Sequence, residues 1–193
     1  MARPVEIDRK ESFERAYSLF WSRGYLSTSL NDLLQELEVG RSSFYAAFGS
    51  KEALFLCVLD RYEEQIEEKF GRLMREHEGF AALRAYLYES GVNVSAAQRR
   101  KGCLAVNTAL ELADVDDELH KRASSILETI ESKLVEIFEE CLHLKEIDNT
   151  QSPELLARTF WIGLQGLHVV FRQDLSRSEA AKSVDGLLAL YSQ

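Results

Sequence analysis

Apolar side chains recur along this chain at spacings of three and four, the period of an α-helix with one buried face. Phe13, Ala16, Tyr17, Phe20 and Trp21 predict a first helix over roughly 8–23, and Gly24 is the residue type that ends a helix in a left-handed turn. Ser27, Thr28 and Ser29 offer caps for a second helix that would bury Leu30, Leu33, Leu34 and Leu37. A short third helix over about 41–47 would bury Phe44 and Phe48. Ser50 caps a fourth over roughly 51–74, with Leu54, Phe55, Val58, Tyr62, Ile66 and Phe70 inward. The pattern then predicts a helix from Gly79 to about 92, a polar loop over Val94–Lys101, a short helix over Gly102–Leu112 and a long one from Asp116 to about Leu144. Ser152-Pro153-Glu154 starts a helix to about Arg172, and Ser176 with Glu179 forms a capping box for a last one through Tyr191. No segment alternates as a strand does. The expected fold is all-α, with about nine helices.

Composition narrows the function classes. The 193 residues suit one large domain or two small ones. No apolar run approaches the roughly 20 residues of a membrane span. The N-terminal MARPVEIDRKES lacks the apolar segment of a secretory signal, so a cytoplasmic location is expected. Cys57, Cys103 and Cys141 match no zinc spacing and no disulfide framework. Asp114, Asp116, Asp117 and Glu118, with His120 nearby, read as acids at a helix start rather than as a metal site. No phosphate-binding glycine loop or nucleophile arrangement is present, so neither enzymatic activity nor a cofactor is expected. The net charge of −9 argues against a polyanionic partner only until it is mapped along the chain. In residues 1–51 seven basic and seven acidic residues cancel, and the whole deficit lies beyond them.

That neutral segment holds the most distinctive chemistry. Its second and third helices are short and joined by a tight Glu38-Val39-Gly40 turn, the layout of a helix-turn-helix whose second helix enters the major groove. With Phe44 and Phe48 anchoring the third helix, Arg41, Ser42, Ser43, Tyr45 and Ala46 are left to face outward. Arg41 can pair bidentately with guanine, and Ser42 and Ser43 can reach bases or phosphate. Tyr45 offers a rigid hydroxyl to a phosphate oxygen. Lys51, with the amides opening the fourth helix, suits another phosphate, while Thr28 and Ser29 suit the opposite strand's backbone.

Four pieces of this region carry a family resemblance: Gly24-Tyr25, Thr28-Ser29, Ser43-Phe44-Tyr45-Ala46-Ala47-Phe48 and Ser50-Lys51-Glu52-Ala53-Leu54. Together they resemble the DNA-binding domain of TetR-family transcriptional regulators. Two departures occur: Glu38 stands where the family usually has Gly, and Gly40 where a Ser or Thr cap is common. The resemblance implies a DNA-binding domain over 1–51 and an effector-binding, dimerising domain over 52–193. It also implies a homodimer on a palindromic operator and repression relieved by a small molecule.

In the C-terminal part, Phe160, Leu164, Leu167 and Phe171 form one apolar stripe, and Val184, Leu187 and Tyr191 another. Both are candidate dimerisation surfaces, with Gly163 and Gly166 allowing close helix approach. Tyr86, Tyr88, Asn107, Glu111, Trp161, Gln165 and His168 are aromatic or polar residues in apolar surroundings, the mixture a small-molecule pocket needs. Cys103 follows Arg99, Arg100 and Lys101 at a helix start, where cations would favour a thiolate. The stretch Gly102-Cys103-Leu104-Ala105-Val106-Asn107 resembles one found in TetR-type regulators, some of which sense electrophiles. A thiol-based sensor acting through Cys103 is therefore the alternative to a reversible pocket.

Overall fold

The computed structural model describes residues 8–147 and 150–192. Residues 1–7, whose Arg3 and Glu6 enter the charge balance, lie outside them. Among the described residues there is no strand, and ten α-helices follow in order. They are α1 (Arg9–Arg23), α2 (Leu30–Leu37), α3 (Arg41–Phe48), α4 (Lys51–Glu76), α5 (Gly79–Leu87), α6 (Ala96–Lys101), α7 (Leu104–Leu112), α8 (Asp117–His143), α9 (Pro153–Phe171) and α10 (Arg177–Leu188). A single π-helical turn over Tyr88–Val92 continues α5. The helix absent from the sequence reading is α6, in the stretch expected to be a loop. Six residues are too few for local propensity to hold a helix. A local cap and a longer-range anchor hold this one: Ser95 Oγ accepts from the Gln98 amide at 3.1 Å, and the buried Arg99 donates to the carbonyls of Gly91, Val94 and Leu175.

Compactness divides the chain into two units. The division expected at 51/52 is one of function, whereas packing groups residues up to Glu64 with Leu104–Ser124. In this first unit α1 and the first half of α4 close an aromatic core. Phe20 meets Phe55 at 4.8 Å between ring centroids, Tyr25 meets Phe55 at 4.9 Å, and Trp21 meets Tyr62 edge-on at 5.3 Å. Such pairs add about 0.5–1.5 kcal/mol each beyond their burial. Arg122, near the start of α8, ties to Asp60 at 2.8 Å and to Glu63, fixing α8 against α4 in the same unit. Asp116 begins α8 by accepting from the Leu119 amide at 3.1 Å.

The second unit comprises Gln65–Cys103 and the residues from Ser125 onward. The N-terminus of α5 has no cap of its own. Glu140 accepts from the Gly79 amide at 3.1 Å and Glu146 from Phe80 at 2.6 Å, placing acids where the helix dipole favours them. On α9, Ala157, Phe160, Leu164, Leu167 and Phe171 turn into this unit's core. Phe160, Phe138 and Tyr191 pack mutually at 5.5 to 5.6 Å. At Gly163 the helix α10 comes so near that a Cβ would lie 2.5 Å from Leu187.

The π turn has a similar constraint. A Cβ at Gly91 would lie 2.3 Å from the Phe171 ring, and that ring is itself buried. Gly91→Ala is expected to force the ring aside and to destabilise by about 1–3 kcal/mol, read as a lower thermal unfolding midpoint at unchanged helical content.

Candidate functional site

The turn between α2 and α3 is built around a residue in an unfavourable conformation. Glu38 closes α2 in the left-handed region (φ 56°, ψ 38°), where a side chain is strained by about 1 kcal/mol or more. Its carboxylate accepts from Arg15 Nη2 at 2.9 Å, so α1 holds the turn in place from outside. At the other end Gly40 caps α3 through backbone alone, in an ordinary extended conformation. Among the described residues, none apart from its chain neighbours comes within 4 Å of where its Cβ would be. The approach to the α3 N-terminus is open.

From that open end the outward residues rise in order. Arg41 and Ser42 are exposed and Ser43 is half-buried, while Phe44 is fully buried. Tyr45 is 46% exposed, its ring held edge-on against Phe44 at 5.8 Å. Arg41 Nη2 donates to Asn31 Oδ1 at 3.3 Å, a long contact that a stronger acceptor can displace. Lys51 opens α4 with its ammonium 4.0 Å from the Tyr25 ring centroid. Partial burial lowers its pKa, against the fields of Glu111 and Asp32, which raise it. The backbone sites expected at the start of α2 divide. Ser29 is exposed and is the α2 cap, accepting from the Asp32 amide at 3.1 Å. Thr28 is fully buried instead, its hydroxyl donating to the Gly24 carbonyl at 2.7 Å, which closes the turn and removes it from any outer partner.

The expected effector residues fall into both units. Asn107 and Glu111 lie on α7, in the first. There Glu111 secures backbone, its two oxygens accepting from the amides of Tyr25 at 2.9 Å and Leu26 at 2.8 Å. Gly24 has φ 88°, and a Cβ there would lie 2.8 Å from that carboxylate, so glycine meets both demands. Tyr86, Cys103, Trp161, Gln165 and His168 lie in the second unit. Tyr86 is buried and stacked on Phe70 at 4.5 Å, and burial raises its phenol pKa, the field of Cys103 adding to it. Trp161, Gln165 and His168 recur at i, i+4 and i+7 on one flank of α9, all half-buried. Tyr88 is tied elsewhere, donating to Asp185 at 2.8 Å.

Two expectations are corrected here. Cys103 is only 5% exposed, and two of its three cations are engaged elsewhere. Arg99 donates to the carbonyls of Gly91, Leu175 (3.0 Å) and Val94 (3.4 Å), and Arg100 pairs with Asp174 at 2.6 Å. Two of the cations argued to favour a thiolate are thus spent on fixing α6 and its surroundings. Likewise Phe160, Leu164, Leu167, Phe171 and Val184 are buried within their own unit, Leu187 packs at Gly163, and Tyr191 bonds to Thr159 at 3.1 Å. The apolar residues of α9 left outside are Leu155 (49% exposed), Ile162 (63%) and Val169 (67%).

Sequence reasoning did not single out Lys69, whose ammonium donates to Ser90 Oγ at 2.7 Å within the second unit. It stands in the run Glu67-Glu68-Lys69-Phe70, which reads as a solvated face. Its place seven residues after Tyr62 and three after Ile66 was the available signal, since both are on the buried stripe of α4.

Two family models match the chain. A family model described as "Bacterial regulatory proteins, tetR family" matches residues 13–58, and one described as "Tetracyclin repressor-like, C-terminal domain" matches residues 79–185. The chain is 27% identical over 150 residues to the transcriptional regulator AcuR of Cereibacter sphaeroides, covering 75% of this chain and 67% of that one. It is 32% identical over 113 residues to the HTH-type transcriptional repressor ComR of Escherichia coli, covering 58% of this chain and 54% of that one. These matches therefore span about two thirds and about half of the relatives' lengths. The crystal structure of the reduced form of Escherichia coli NemR shares the fold, with a TM-score of 0.78 at 20% identity over 94% of this chain and 93% of that one.

Glu111→Ala removes the acceptor for two backbone amides, and the first unit is expected to lose about 2 kcal/mol. Thermal unfolding of the variant, with Glu111→Gln as the milder comparison, measures the loss.

Proposed function

The chain belongs to the TetR family of bacterial regulatory proteins, and on that premise we propose that it is a cytoplasmic repressor, bound to a palindromic operator as a homodimer and released by a small-molecule effector. DNA-binding transcriptional regulation, without enzymatic activity, is the family's function. The observation that carries the DNA contacts is the open N-terminal end of α3. Arg41, Ser42 and Tyr45 stand outward there, Gly40 leaves room for a duplex, and Lys51 stands exposed enough at the start of α4 to meet a phosphate. Arg41 is assigned to base readout, Ser42 and Ser43 to bases or phosphate, and Ser29, Tyr45 and Lys51 to the backbone. ComR and NemR are both named as repressors, which supports repression.

Dimerisation follows from the size of α3 and the surface of α9. Eight residues of recognition helix touch too few base pairs for specificity, so two copies are needed, presented about 34–36 Å apart or somewhat wider. Leu155, Thr159, Ile162, Gly166 and Val169 alternate at four and three residues, and all are exposed. That is the seam spacing of a helix that packs against another helix. This outer stripe, rather than the buried one, is assigned to the partner subunit, and domain 52–193 carries it together with the effector site.

The effector reading rests on Tyr86, Trp161, Gln165 and His168, with Cys103 as a packed neighbour of Tyr86 rather than a sensor. Through α4 and α8, which each continue from one unit into the other, a change in the second unit has a covalent route to the first.

Selection of bound sequences from a random duplex pool tests the reading directly; a palindrome is expected, and failure to enrich any sequence would overturn it. Arg41→Ala is expected to weaken operator binding by about 1–3 kcal/mol and to relax discrimination at one base pair per half-site. Lys51→Ala should weaken all duplexes nearly uniformly and flatten the salt dependence, both measured by retardation over a salt series.

Ile162→Glu and Val169→Glu should yield folded monomers with little operator affinity, because the charges are harmless in water and ruinous in an apolar seam. Light scattering that still reports dimers would place the interface elsewhere.

A further inference from the structure

Inside the second unit, the charge of Lys69 acts on His168, one turn along α9 from an amide whose buried atoms have no partner. Lys69 has two partners besides the fields that act on it. Its ammonium donates to Ser90 Oγ at 2.7 Å and lies 4.9 Å from the Tyr86 ring centroid. Neither carries a negative charge. Glu89, whose field reaches Lys69, is held bidentately by Arg72 at 3.1 and 2.6 Å. Among the described residues no carboxylate lies within ion-pair distance of Lys69. The burial of this charge is marked enough to push its pKa down to about 8.

On α9, the amide nitrogen and the amide oxygen of Gln165 are both buried and neither has a hydrogen-bond partner. Since both ends are orphaned, the conclusion holds whichever way the amide is turned. A buried donor and a buried acceptor left unmade are each costly, and natural structures keep few of them. One turn further along the same flank is His168, which burial and the charges of Lys69 and Arg172 push down to about 4. It is therefore neutral at physiological pH, adding a polar contact without another charge. Trp161, a turn before Gln165, and the Tyr86–Phe70 stack supply flat apolar surface.

We propose that this cluster is a binding site for a small organic acid, a carboxylate that also carries an O–H or N–H donor, with Lys69, Gln165 and His168 as its polar contacts. The proposal rests on the effector reading above and names the ligand chemistry that these side chains select. The carboxylate supplies the negative charge that Lys69 lacks and accepts from the Gln165 amide nitrogen. The donor on the acid satisfies the Gln165 oxygen. Tyr86 and Trp161 hold the carbon skeleton, the division of labour usual in small-molecule sites. The π turn contributes Ser90, which also donates to the Tyr86 carbonyl at 2.7 Å and so aims Lys69 from behind.

The test uses the purified full-length protein at fixed pH and ionic strength. The probes are 4-hydroxybenzoate, 2-hydroxybenzoate and 3-hydroxybutyrate, each beside its primary amide, with thermal unfolding and tryptophan fluorescence as readouts. At least one acid is expected to raise the unfolding temperature by a few degrees when saturating, and its amide to leave it unchanged. Lys69→Met should bind that acid roughly ten- to hundredfold more weakly, and Gln165→Leu should also bind it more weakly. Both variants should unfold at or above the wild-type temperature, because each removes an uncompensated buried polar group. The proposal is overturned if no acid shifts the transition, as when a bridging water alone fills the site. It is equally overturned if the amides act as well as the acids, or if Lys69→Met binds normally or unfolds earlier than wild type. Operator retardation run in parallel keeps the two readings apart. An acid that binds through Lys69 without releasing DNA sinks the effector reading alone. Release by neutral compounds that ignore Lys69 sinks the acid site alone.

Discussion

The burial of Phe160, Leu164, Leu167 and Phe171 inside their own unit determines what every other face of α9 is left to do. A helix turns 100° per residue, so fixing one stripe fixes the rest. The face opposite carries Leu155, Ile162, Gly166 and Val169 into solvent. One flank, at Gly163, takes α10 at close range, and the other presents Trp161, Gln165 and His168. A buried stripe, a solvent-facing apolar stripe, a close helix contact and a half-buried polar flank are thus four faces of a single 19-residue helix. A shift in one would be felt in the others, because packed interiors resist gradual deformation.

The first unit relies on carboxylates to set backbone that apolar packing alone would not. Glu38 sits in a left-handed conformation and is secured by Arg15, and Glu111 gathers the two amides that follow Gly24. These two devices fix both ends of α2 relative to α1 and α7 within that unit. They leave α3 unencumbered on its outer side, where Gly40 and Arg41 meet nothing closer than a long contact to Asn31. The net charge of −9 is not concentrated in residues 1–51, where basic and acidic residues cancel. Acids in this unit are spent on internal structure, while Arg41 and Lys51 stand where a phosphate or a guanine could reach them.

Helix periods were legible in the sequence because the apolar residues are spaced by the helix itself, and so were the caps at Ser29, Ser152 and Ser176. The helix-turn-helix was legible because its turn, its anchoring phenylalanines and its outward residues lie within 25 consecutive positions from Gly24 to Phe48. Such information is local. What escaped was the short α6, which depends on Arg99 reaching the carbonyls of Gly91, Val94 and Leu175, the last of them far along the chain. Thr28 also escaped, since a hydroxyl at a helix start reads alike whether it faces water or a carbonyl.

The sequence by itself determined the all-α architecture, the order of its helices apart from α6, and which of them presents Arg41, Ser42 and Tyr45. It could not decide which of two apolar stripes on α9 turns inward, because both repeat at the same three- and four-residue spacing. Nor could it tell a solvated lysine from Lys69, or a core amide with partners from Gln165. Those distinctions depend on which side chains from distant parts of the chain arrive around them. Only tertiary packing assigns burial, and burial is what turns an ordinary polar side chain into one that demands a partner.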